Sequence, residues 1–326
     1  MATFGDFSST NNDTKQTSSD SNDWERKVIQ DLAFAAIKEQ RASRRWGYVF
    51  KGFIFIYLIV VLMMTMSNQD IQAYAEEHTA LVNINGLIAA DAEANADNIV
   101  TGLRDAFDNQ QAKGLIIRLN TPGGSPVQSG IINDEVKRLR SIRPDFPVFA
   151  VIQDVCASGG YYIAVSAQEI YADKASIVGS IGVRMDSFGF TDTIAKLGVE
   201  RRSITAGQNK SFLDPFLPVK DKDIEHAQSM LNNIHQQFIK VVKEGRGDRL
   251  ANTPNLFSGL FWSGEQALPL GLIDGLANSS TVARDKIGVE KIVDYTPRPN
   301  YLDKFANRLG ASLSHVLVSL STAEVR

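Results

Sequence analysis

The run Pro147-Val148-Phe149-Ala150-Val151-Ile152 and the stretch Asp154-Val155-Cys156-Ala157-Ser158-Gly159-Gly160-Tyr161-Tyr162-Ile163-Ala164 decide how this chain is read. The first is continuously apolar, β-branched and aromatic, the signature of a buried strand. The second opens as a small-residue turn and continues as a helix-like segment. The residues flanking Ser158 are too small to hide it, so a strand–turn–helix geometry exposes its hydroxyl at the head of a helix. A hydroxyl there is placed to attack a carbonyl, and nearby N–H groups can stabilise the oxyanion that forms.

Outward from this stretch the pattern repeats. Residues 79–86 alternate like a strand, and residues 95–111 carry helical spacing through Ile99, Leu103 and Phe107. Residues 114–119 form a short apolar strand, and residues 127–140 read as a helix. Strands alternating with helices imply an α/β fold with a mainly parallel sheet covered by helices. Residues 221–244 read as a long amphipathic helix. Leu302, Phe305, Leu309, Leu313, Val316 and Leu320 are spaced as another, over residues 296–326, for packing or a membrane surface.

The chain has 326 residues and a formal net charge of −3, with no basic stripe, so nucleic acid is not an expected partner. One cysteine, Cys156, excludes an intramolecular disulfide. Residues 46–66 are almost wholly apolar and long enough to span a bilayer, with Trp46 and Tyr48 at the interface. Arg41, Arg44, Arg45 and Lys51 lie on the N-terminal side, and Asp70, Glu76 and Glu77 follow the span. The positive-inside rule puts residues 1–45 in the cytoplasm and the rest outside. Ala73-Tyr74-Ala75 resembles a cleavage site, but the segment before the apolar run is too long for an ordinary signal peptide, so an uncleaved anchor is the preferred reading. The expected organisation is a cytoplasmic tail over 1–45 (disordered to 23, then helical), an anchor over 46–66, a linker over 67–77, and a folded domain over 78–295.

A serine nucleophile needs a base. His78, His226, His235 and His315 all lack a loop setting with glycine or acidic partners and read as surface or packing residues. A lysine serves when burial makes it neutral. Lys210, in Ala206-Gly207-Gln208-Asn209-Lys210-Ser211-Phe212-Leu213, fits that role, against the alternative of a solvated loop lysine. Asn120-Thr121-Pro122-Gly123-Gly124-Ser125-Pro126 follows a strand and opens a helix, so its paired glycines can form an anion nest or a plain turn. Cys156 reads as a small buried hydrophobe. No Cys/His cluster or carboxylate pair has metal-ligand spacing, so no metal or other cofactor is expected.

Four motifs in order, Asn-Thr-Pro-Gly-Gly (120–124), Ala-Ser-Gly-Gly-Tyr-Tyr (157–162), Val-Gly-Ser-Ile-Gly-Val (178–183) and Gly-Gln-Asn-Lys (207–210), resemble the signal peptide peptidase A/protease IV family in its single-domain, SohB-like form. Phe261-Trp262-Ser263-Gly264 and Gly271-Leu272-Ile273-Asp274 resemble its C-terminal motif. The resemblance covers roughly residues 78–295. It implies a ClpP/crotonase-like fold and a membrane-anchored serine endopeptidase with a Ser–Lys dyad. Ser158 would be the nucleophile, Lys210 the general base and Ser180 the residue that orients the lysine. Gly124 N–H would donate to the oxyanion, with Gly159 as second donor and Gly123 as the alternative to Gly124. The resemblance also implies apolar peptide substrates such as remnant signal peptides, an inner or plasma membrane location with the catalytic domain outside the cytoplasm, and a homo-oligomer whose dyads join neighbouring subunits. Two rival readings stand beside it: a non-catalytic membrane scaffold, and a crotonase-type acyl-CoA enzyme, which needs neither the Ser–Lys pair nor an anchor.

Overall fold

The computed structural model describes residues 24, 26–32, 34, 46–61 and 74–297. The chain divides into two units, Met1–Ile71 and Gln72–Arg326. In the first, the described residues between 24 and 34 are helical, and residues 46–61 form one helix, α1, whose Trp46, Tyr48, Phe50 and Phe53 are exposed. Among the described residues no helix is long and apolar enough to cross a membrane. Residues 62–66 of the expected span, residues 1–23 and most of the expected C-terminal helix lie outside the described residues.

The second unit is built on an eight-stranded sheet. Its strands are β1 (His78–Asn85), β2 (Ala112–Thr121), β3 (Val148–Ala157), β4 (Glu169–Ala172), β5 (Ile177–Gly179), β6 (Phe261–Ser263), β7 (Gly275–Leu276) and β8 (Ile292–Asp294). The main order is β6-β5-β3-β2-β1-β8, with β4 beside β3 and β7 beside β4. Every pairing is parallel except β5 with β6. The central strands are buried on both faces, which is why their sequences run continuously apolar. Val82, Ile84, Leu115, Ile117 and Ile152 join the larger core cluster, while Leu81, Ile116, Phe149 and Val151 join a smaller one. The smaller cluster is closed by Val282 of the short helix Ser279–Val282 and Ala283 of the π-helical turn after it.

Helices α2 (Ala96–Asp108) and α3 (Pro126–Ile142) connect the first three strands. Asn95 caps α2 by accepting from Asn98 N–H, and α3 starts on Ser125 with Pro126 in its first turn. β3 is longer than its apolar run. Its first half pairs β4 through Phe149–Ile152, and its second half pairs β5 through Val155–Ala157. The sheet forks along this strand, and Ser158 stands immediately beyond the fork, ahead of α4 (Gly159–Ala164).

The long helix α6 (Asp221–Arg246) buries a narrow stripe that includes Ala227, Phe238, Val242 and Arg246. Gly245 passes so close to Val165 that a Cβ there would stand 2.2 Å from the Val165 carbonyl oxygen. Arg246 is 1 % exposed and donates to both carboxylate oxygens of Asp274, at 2.6 and 3.0 Å. Residues just ahead of β1 also pack on this unit. Tyr74 O–H donates to the Asp294 carbonyl, and its ring meets Tyr295 edge-on at 5.0 Å. His78 is fully buried, with Nε2 2.8 Å from the Tyr295 hydroxyl.

Candidate active site

Ser158 has φ 50° and ψ −120°, a conformation rarely adopted by a residue with a side chain. The fold enforces it from both sides. Ser158 N–H donates to Gly179 C=O at 2.9 Å, and Tyr162 N–H donates to Ser158 C=O at 3.0 Å. The first bond ties the serine to the end of β5, where Ala157 is in register with Gly179. Ser180 follows directly, also at positive φ, with its N–H on Leu260 C=O. Strand pairing therefore brings Ser158 and Ser180 together from 22 residues apart (180 − 158).

The glycine turn after β2 closes on the same point. A Cβ on Gly123, at φ +99°, would stand 2.8 Å from both Gly159 N and Ser158 Cβ. Gly124 is held by Ile88, whose N–H donates to Gly123 C=O and whose C=O accepts from Ser125 N–H. These bonds bypass Gly124 itself. Neither Gly124 N–H nor Gly159 N–H has a backbone carbonyl partner among the described residues. Two amide donors left open beside a serine hydroxyl is the arrangement that receives an oxyanion.

Ser158, Ser180, Gly123, Gly124 and Gly159 all line one cleft of about 800 Å³. Leu87, Tyr162, Val183, Ile234 and Phe238 give it apolar walls. Lys210 is not among its lining residues. It sits exposed in an irregular segment, 184–220, whose one short helix, α5 (Thr191–Lys196), buries no residue. Phe188, Leu197, Val199 and Ile204 of this segment are exposed as well. The structure thus gathers four of the five expected site residues and leaves the lysine outside.

Cys156 is buried beneath the turn, and burial pushes its thiol pKa well above the ordinary value. His226 packs edge-on against Phe212, and His235 is 3.2 Å from Ile181 C=O. Among the described residues no group of three or more His, Cys, Asp or Glu could hold a metal ion.

The model of peptidase family S49 matches residues 142–291. A putative protease of Methanocaldococcus jannaschii is 30 % identical over 243 residues, which cover 70 % of this chain and 77 % of that protein. The chain belongs to peptidase family S49. Longer proteins match part of the chain as well. Protease 4 of Haemophilus influenzae is 33 % identical over 209 residues, 61 % of this chain and 32 % of that protein. A Brucella abortus protein named Na(+)/H(+) antiporter NhaA is 48 % identical over 186 residues, 57 % of this chain. The chain spans only a quarter of that relative's length. The S49 match begins inside α3 and runs through Ser158, Ser180 and Lys210, leaving the Gly123–Gly124 turn to its N-terminal side.

Proposed function

We propose that this chain is a membrane-anchored serine endopeptidase of the S49 family, working with a Ser158–Lys210 dyad completed between subunits. The observation that carries the reading is the strained Ser158 beside two amide N–H groups without carbonyl partners, in an apolar cleft. An extended apolar peptide would lie in this cleft with its scissile carbonyl oxygen between Gly124 and Gly159 N–H. Ser158 Oγ attacks the carbonyl carbon as its proton passes to neutral Lys210 Nζ. The lysine returns that proton to the leaving amine as the C–N bond breaks, and an acyl-enzyme remains. Water, deprotonated by the same lysine, then cleaves the ester and restores Ser158. Ser180 is the residue proposed to orient Lys210.

A lysine base needs burial to be neutral at working pH, and Lys210 is exposed in the single chain. The exposed apolar side chains of the same segment, Leu197, Val199 and Ile204, favour its packing on a second copy. That packing would carry Lys210 to a neighbour's Ser158. The exposed apolar surface of α1 supports the anchor, and the arginines before it support an N-terminus in the cytoplasm and the peptidase domain outside. Docking of Tyr74 onto the folded domain favours an uncleaved chain. Remnant signal peptides and other apolar membrane-released segments are the proposed substrates.

The test is to express Ser158→Ala and Lys210→Ala singly and together and assay a fluorogenic apolar peptide. Each single variant should lose at least about a thousandfold in kcat, and the mixture should regain activity. A dead mixture, with mixed oligomers demonstrated, places the dyad within one chain. Wild-type activity in either single variant removes the Ser–Lys mechanism.

A further inference from the structure

Directly behind the amide pair lies a polar cluster that the peptidase reading does not use. Ser129 and Asn133 stand one turn apart on α3, and both are fully buried. Asn133 Nδ2 donates to the Tyr162 carbonyl, in the last turn of α4, at 2.7 Å. Among the described residues, Ser129 Oγ and Asn133 Oδ1 are the buried side-chain polar atoms that have no hydrogen-bond partner. Ser129 Oγ lies 2.5 Å from where a Cβ on Gly159 would stand, and Gly124 N lies 3.2 Å from that same point. The hydroxyl and both amide donors therefore converge on one small volume.

An unpaired buried hydroxyl destabilises a fold, and proteins retain such groups where a site uses them. Alanine would fill most of the same space without the cost. What serine adds is a dipole free to rotate toward negative charge, in surroundings where little water screens it. Ser129 is sealed from the cleft, so it acts on the reacting atoms through Gly159 rather than by contact.

We propose that Ser129 and Asn133 are positioning residues for the oxyanion site. Asn133 fixes the last turn of α4. Ser129 packs against Gly159 and turns its free hydroxyl dipole toward the developing charge. The inference rests on the peptidase reading above and adds to it two residues outside the family match and outside the cleft lining.

The experiment compares full-length wild type with Ser129→Ala and Asn133→Asp, the second replacing the amide donor to Tyr162 by an acceptor. Three quantities are read: kcat and KM on a fluorogenic apolar peptide, inhibition by an aldehyde of the same peptide, and Tm. The aldehyde adduct with Ser158 carries the oxyanion, whereas the bound substrate does not. Ser129→Ala should lower kcat about tenfold and weaken the aldehyde by a similar factor, with KM unchanged and Tm equal to or above wild type. Asn133→Asp should lower kcat and aldehyde affinity together by more than its change in KM. Wild-type kcat in Ser129→Ala, or a kcat loss with undiminished aldehyde affinity, overturns the proposal. Ser158→Ala is run in parallel. If it keeps the wild-type rate, the peptidase reading falls and this inference with it. If it is dead while Ser129→Ala is wild-type, this inference alone is overturned.

Discussion

At the scale of single residues, the proposed chemistry is concentrated where backbone conformation is least ordinary. Ser158 holds a positive φ because β5 and α4 both grip its backbone, and such strain is stored at an order of 1–3 kcal/mol per residue. Replacing Ser158 by glycine should therefore raise Tm while abolishing hydrolysis, a pairing that calorimetry and a peptide assay would read together. Elsewhere a single carboxylate sets a pH dependence. The hydrogen bond from Arg138, helped by Arg104, holds the Glu135 pKa down to about 2, from 4.5. A depressed folded value means that the stabilisation is present above about 4.5 and is lost as pH falls through about 2. Glu135→Gln should accordingly be less stable than wild type in denaturant at pH 7, with the difference shrinking below pH 4.5. The turns that carry Ser158, Gly159 and Gly124 are legible from sequence because their motif is local: strand, small residues, helix. Ser129 and Asn133 are not, since a buried polar residue on an amphipathic helix looks the same on paper as an exposed one.

At the scale of elements, close backbone approach governs which substitutions are tolerated. Gly245 sits inside α6, where alanine is intrinsically the better helix former by roughly 1 kcal/mol. Its Cβ would meet the Val165 carbonyl oxygen at 2.2 Å, so packing overrides propensity. Gly245→Ala should lower stability by about 1–3 kcal/mol in chemical denaturation. One residue on, Arg246 is buried against Asp274, which also accepts from Ile170 N–H. Asp274→Ala leaves that guanidinium uncompensated and should cost about 3–5 kcal/mol, measured the same way. The alternating strands and helices through residue 164 were readable from periodicity. The apolar run of β3 ends at Ile152, where Gln153 and Asp154 interrupt it, yet the strand continues to Ala157 by exchanging one partner strand for another. The strands β4 to β8 are two to four residues long, too short for any period to emerge.

At the scale of the whole molecule, the folded unit is well packed around its sheet yet carries a largely exposed segment over 184–220. Sequence motif alone placed Lys210 in the site, and motif spacing cannot report whether two residues meet within one chain or between two. Ile204→Asp, on the fully exposed Ile204 side chain, separates these cases. It should shift the particle in light scattering toward smaller species and reduce peptidase activity in parallel, while leaving the Tm of the folded unit near wild type. Retained assembly with full activity would remove this segment from the subunit contact.

The burial of Cys156 has a practical corollary. The only sulfhydryl in the chain lies inside the core with its ionisation suppressed. A cysteine introduced at position 240, an exposed site on α6 outside the 184–220 segment, would be the one site open to a maleimide, with no background label to subtract. Dyes attached there would test the proposed assembly by energy transfer between copies of the chain, turning a silent core residue into the reason such an assembly can be measured with a ruler.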